Sequence, residues 1–388
     1  MKKVGTWCAF LAFFLSFFAL LVCAESADNA EIATESEQAL PYWQSFLSAI
    51  PEEVAVLLPE GFFSEDLTQV GAAAEKASGW QTVLAVIGRL TGLSLRENLL
   101  LLARICGVLL ISAIFRALCK SFEASGGMAR ALALCGSFSL TVLLFSLQRV
   151  RFSEISAFFS AMKALATAAI PMMGALYAMG GDVGAAVANH GVMSLFLTVL
   201  ETVVSASALP VAGICMALSL SDAIAGGAQL RSLGGLIKRT YTLLFSFLMV
   251  LLCGVLGVQS TLAKGSDTLA LRTVRFAAGS FLPVVGGSVS EALRTVSGSV
   301  QYLRSVTGTG AIVVLCFLFL PVFLPVLLNR VTFMLGGAVA KLLGCDGEER
   351  ILTELASVYG YFLSVIVSLF AMVVFSLTLF ARCATAGG

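Results

Sequence analysis

Long apolar runs dominate the middle and end of this chain, and a fold that lives in water has no place for so many of them. Stretches 99–118, 129–147, 155–179, 191–220, 240–258, 311–330 and 355–381 each carry few charges. A helix needs roughly 20 mostly apolar residues to cross a bilayer. Composition agrees: of 388 residues, 59% are hydrophobic and only 12% charged, against about 25% charged in soluble domains. The expected fold is an all-α polytopic membrane protein with about seven transmembrane helices. The formal net charge of +1 gives no bulk attraction toward nucleic acid.

The N-terminus reads as a signal peptide over 1–24. Lys2 and Lys3 precede an apolar run, and Val22 and Ala24 are small residues suited to cleavage after Ala24. An uncleaved anchor is the alternative, and either places the following segment outside the cytoplasm. Residues 25–98 are expected to form an acidic, extracytoplasmic helical segment. Eleven acidic residues and no Lys or Arg fall in 25–75. Glu25 to Gln38 is polar and reads as disordered. Prolines at 41, 51 and 59 then separate short helical pieces. Trp43, Phe46, Leu47 and Ile50 recur at helical spacing, so one face is apolar and is expected to pack on the chain's own membrane domain.

Several chemistries find little support. The ten cysteines lie mostly within or beside apolar runs and form no C-x-x-C pair, so they read as small buried hydrophobes. One histidine, His190, cannot build an imidazole metal cluster. No G-x-x-x-x-G-K-[ST] loop, paired acids or Ser-His pair is legible. The chain is therefore expected to be neither an enzyme nor a cofactor carrier.

Inside the spans, ionisable residues are expensive and tend to find partners. Lys163 and Glu201 fall deep within 155–179 and 191–220, and antiparallel neighbours would let them pair. Arg104 and Arg116 lie near the ends of their span and can snorkel. Pro171, Pro210, Pro321 and Pro325 mark expected bends. Gly-Gly doublets at 126, 180, 226, 234, 286 and 336 mark expected loops, and the spacing of five of them hints at an internal repeat. A stand-alone secondary transporter would use the intramembrane charges as its ion site.

Residues 259–310 are too charged for an ordinary span and too apolar for an ordinary loop. On a helical wheel, Arg272, Arg275 and Gly279 form a narrow stripe opposite a broad apolar face. Pro283 ends that helix, Gly286 and Gly287 allow a turn, and a second amphipathic helix follows. The pattern predicts a hinged hairpin that lies along the membrane or re-enters it, with Asp267, Arg272, Arg275, Pro283 and Gly286 as candidate pore-lining or partner-contacting residues. The remaining plan is a membrane domain over 99–258 and 311–388.

The same stretch carries a family resemblance. Gly257-Val258-Gln259, Asp267, Leu271-Arg272-Thr273, Arg275-Phe276, Gly279, Phe281, Leu282-Pro283-Val284 and Gly286 resemble the signature region of the stage III sporulation protein AE family. "AAIPMMGALYAMGG", Ala168 to Gly181, resembles a second family segment. The resemblance implies a membrane subunit of the channel that joins mother cell and forespore in endospore formation, as a permease-like conduit base in the mother-cell membrane around the forespore. Implied partners are the ring-forming and ATPase subunits of the stage III sporulation A-operon complex, a forespore-side channel partner indirectly, and membrane lipid. It carries over no catalytic, metal or cofactor-binding residues.

Overall fold

The computed structural model describes residues 32–64, 67–121, 126–179, 191, 194–195, 207–225, 232–251, 254–255 and 286–383, and these contain helices and no strand. In chain order the helices are α1 (Ile32–Ser48), α2 (Glu52–Ala55), a 3-10 turn (Glu60–Phe63), α3 (Leu67–Ser78), α4 (Trp80–Ser121), α5 (Gly126–Met179), α6 (Leu209–Ala225), α7 (Ser232–Leu251), α8 (Gly286–Leu342) and α9 (Asp346–Cys383).

Among the described residues, five helices are long and apolar enough to cross a membrane: Leu84–Leu118, Leu134–Met179, Ser232–Leu251, Ser305–Leu342 and Asp346–Thr378. They take up six of the seven expected spans. The expected 129–147 and 155–179 spans are one unbroken helix, α5. The intervening Gln148–Glu154 stretch contains no Gly or Pro to end a helix, and Arg151 is held by Glu154 and Glu97. The seventh, 191–220, falls largely outside the described residues. Its end belongs to α6, where Pro210 sits in the first turn and removes no needed donor. Residues 1–31, with the expected signal peptide, lie outside the described residues, as do 256–285. The hinge therefore does too, although Gly286 opens α8 and the expected second hairpin helix runs on into the 311–330 span.

The core is the antiparallel pair α8 and α9, the most extensively packed in the chain. Its residues are apolar almost all round: Ile312 to Phe319 on α8, and Leu352, Leu355, Val358, Phe362, Ile366 and Leu369 on α9, are buried. Phe319 stacks on Phe370 with centroids 4.2 Å apart. A helix that is apolar all round is an interior helix, and the other elements wrap this one. α3, α4 and α5 pack on α8, while α5 and α6 pack on α9. By contrast α4 is one-sided. Ser94, Asn98, Leu101, Ile105, Leu109 and Ser112 recur every three or four residues and are buried, while Leu99, Leu110, Ile111 and Phe115 are exposed.

The α8–α9 turn is a Schellman ending. Gly344 adopts φ +70, its N–H donates to the Lys341 carbonyl (3.1 Å), and Cys345 N–H donates to Ala340 (2.9 Å). The two residues that close the motif, Ala340 and Cys345, are fully buried.

Three expectations are corrected. Pro41 does not separate helical pieces but lies within α1, which starts at Ile32, so residues 32–38 are helical rather than disordered. Pro51 and Pro59 do precede short helical turns. Of the Gly-Gly doublets, those at 126 and 286 open α5 and α8 as helix, those at 180 and 226 lie outside the described residues, and those at 234 and 336 are not loops. The last two lie inside α7 and α8, where a missing Cβ lets helices approach: a Cβ on Gly336 would come within 3.2 Å of Ile105 Cγ2. The face of Trp43, Phe46 and Ile50 packs on the chain's own helices as expected, with α1 against α5 and α8.

Candidate functional site

Asp267, Arg272, Arg275 and Pro283 lie outside the described residues, as do Glu201 and His190, so the expected arginine stripe and the Lys163–Glu201 pair have no described geometry. Lys163 is on α5, half-buried, beside a cleft of about 800 Å³ that Ser45, Ser160, Thr167 and Pro171 also line.

Three polar clusters punctuate the described helices. The first ties the ends of α4 and α9. Glu348 is fully buried in the first turn of α9, where the helix dipole favours a negative charge. One carboxylate oxygen accepts from Ser112 Oγ at 2.6 Å and the other from Arg116 Nη2 at 2.6 Å. Arg116 Nη1 also donates to the Gly344 carbonyl at 2.9 Å, so one guanidinium binds both the turn and the helix after it. The approach depends on glycine. A Cβ on Gly136 of α5 would lie 2.6 Å from both Glu348 Oε1 and Ser112 Oγ, and one on Gly347 would lie 2.5 Å from Ser137 Oγ. Just before Glu348, burial pushes the Cys345 thiol above the ordinary thiol range, and the Glu348 carboxylate adds to the rise.

The second cluster is an ion pair between Lys238 of α7 and Glu354 of α9, both buried, with Lys238 Nζ also donating to Ser357 Oγ at 2.8 Å. This fastens α7, whose other face carries exposed Leu243, Leu244, Phe247 and Val250.

The third is midway along α4 and α5. Arg151 pairs with Glu154 at 2.8 Å and with Glu97. Beneath them lie buried Asn98, Gln148 and Asn329. Asn98 Nδ2 donates to the Ser94 carbonyl at 2.8 Å, its Oδ1 accepts from Thr332 at 3.2 Å, and Gln148 accepts from Tyr359. Asn329 Nδ2 has no partner among the described residues. An unsatisfied buried amide costs about 1–3 kcal/mol, so this nitrogen marks an incomplete site. It adjoins a cleft of about 300 Å³ that Glu97, Arg104, Arg151 and Glu154 also line.

Only part of this was readable in advance. Arg151 and Glu154, three residues apart on one helix, could have been read as a pair. Arg116, which the sequence leaves free to snorkel, is instead committed to Glu348. Partners separated by 232 and 116 residues leave no local signal. Among the described residues, no group of three or more His, Cys, Asp or Glu is placed to hold a metal ion.

Comparison with known proteins places this arrangement. The family described as "Stage III sporulation protein AE" matches residues 64–384. A curated Bacillus subtilis (strain 168) protein of that name is 25% identical over 178 residues, a match covering 46% of this chain and 44% of that protein. The match thus spans less than half of the relative's length. No solved structure matches the chain. The family match runs from the 3-10 turn region through α9 and takes in all three polar clusters, so the chain belongs to the stage III sporulation protein AE family.

Proposed function

We propose that this chain is a membrane subunit of the channel complex between mother cell and forespore, serving as a permease-like conduit base rather than as an enzyme. The observation that carries this reading is the family match over 64–384, on a chain whose described residues include five membrane-length apolar helices. In this reading it sits in the mother-cell membrane around the forespore, with the acidic N-terminal segment outside the cytoplasm. Its partners are the ring-forming and ATPase subunits, and it uses no cofactor.

A stand-alone secondary transporter is the second reading, and the buried Lys238–Glu354 pair favours it, because intramembrane charges often mark ion pathways. Reconstitution into liposomes separates the two. The channel reading expects flux only when the sister subunits are co-reconstituted. Selective, saturable uptake of one solute by the isolated chain would establish the transporter and end the channel reading.

A further inference from the structure

The cleft midway along α4 and α5 is unevenly charged. Arg104 stands exposed on its wall with no ion-pair partner among the described residues. Arg151 is shared between two carboxylates, Glu97 and Glu154, whose side chains are 61% and 45% exposed. One positive charge against two negative ones leaves that trio with a residual negative charge. The floor contributes the Asn329 amide N–H, which has no partner among the described residues and comes from a residue only 2% exposed. The rim residues Leu100 and Val150 are apolar and 52% and 62% exposed. The site thus offers free donors at one place, spare acceptor charge at another, and an apolar lip beside both. At about 300 Å³ it is the size of a small ligand cleft.

We propose that this cleft holds the headgroup of a zwitterionic membrane phospholipid carrying a primary ammonium. The phosphate oxygens accept from Arg104 and from Asn329 Nδ2, and the ammonium donates to Glu97 and Glu154. The acyl chains leave over Leu100 and Val150. An anionic headgroup without an ammonium, such as that of phosphatidylglycerol, lacks the cation that those carboxylates call for. A trimethylammonium headgroup has no N–H to donate and favours aromatic faces, and no aromatic side chain lines the cleft among the described residues.

The test uses the full-length chain, delipidated in detergent and titrated in parallel with phosphatidylethanolamine, phosphatidylglycerol and phosphatidylcholine, with bound lipids counted by native mass spectrometry. Phosphatidylethanolamine is expected to be retained about tenfold more tightly than the other two. Arg104→Ala, at an exposed position that threatens no packing, should remove that advantage through loss of a charge-assisted hydrogen bond worth about tenfold. Glu97→Gln should shift preference toward phosphatidylglycerol. Equal retention of all three lipids, or an Arg104→Ala variant that binds as the parent does, would overturn the proposal. Free phosphoethanolamine competing as strongly as the lipid would overturn the assignment to a lipid and point to a soluble zwitterion.

Discussion

Glu348 illustrates how little of a buried charge is decided by its own residue. The carboxylate is fully enclosed, while its partner Arg116 keeps 23% of its side chain exposed. That asymmetry predicts unequal costs. Arg116→Met leaves a buried carboxylate uncompensated and should destabilise by about 3–5 kcal/mol. Glu348→Gln leaves a guanidinium that can still reach water and should cost about 1–2 kcal/mol. Thermal unfolding in detergent measures both, and the reverse order would contradict this account of the site. The neighbouring Cys345 gives a pH prediction. Its thiol is held above the ordinary range, first by burial and then by Glu348, so less of it is thiolate at any given pH. Alkylation of Cys345 by N-ethylmaleimide should therefore begin at higher pH in the folded chain than in the denatured chain, as peptide mapping would reveal.

At the scale of elements, glycine positions decide how closely helices approach. Gly136 of α5 faces Ser112 and Glu348 with no room for a Cβ, whereas a Cβ on Gly107 of α4 would meet nothing within 4 Å among the described residues. Gly136→Ala should cost about 1–3 kcal/mol through overpacking. Gly107→Ala should be neutral or should stabilise by up to about 1 kcal/mol through helix propensity. Equal effects on the unfolding temperature would show that the tight contact is not formed. Gly310 makes the same argument for the N-terminal segment. A Cβ there would lie 2.9 Å from the Trp43 ring, so Gly310→Leu should dislodge α1 and speed proteolysis within residues 32–64. None of this was legible locally, because Gly136, Gly107 and Gly310 look alike in the sequence and differ only in what faces them.

At the scale of the molecule, helix length is the governing fact. At 1.5 Å per residue, the 54 residues of α5 extend about 80 Å, more than twice the roughly 30 Å of hydrocarbon in a bilayer. Two apolar stretches that read as separate spans are thereby one continuous helix, with Arg151 and its two carboxylates at the midpoint. In the proposed channel, the segment with Arg272 and Arg275 contacts the path or a partner. Arg272→Ala combined with Arg275→Ala should then abolish spore formation while the protein still reaches the membrane at normal level. Normal sporulation by that double variant would rule out such a role.

The sequence by itself determined the solvent, the helical class and the family. Apolar runs and short-range motifs are local properties, and neither depends on how the chain folds back. It also marked the apolar face of Trp43, Phe46 and Ile50, since helical periodicity needs only neighbouring residues. Tertiary structure alone decided that Arg116 meets Glu348, that Lys238 meets Glu354, and that Asn329, without a partner among the described residues, lines one cleft with Arg104. It also decided that charges at 149–154 interrupt no helix. The physical reason is the same in each case. Within a membrane-type core an ionisable side chain is tolerated only where another segment satisfies it, and that segment can be hundreds of residues away.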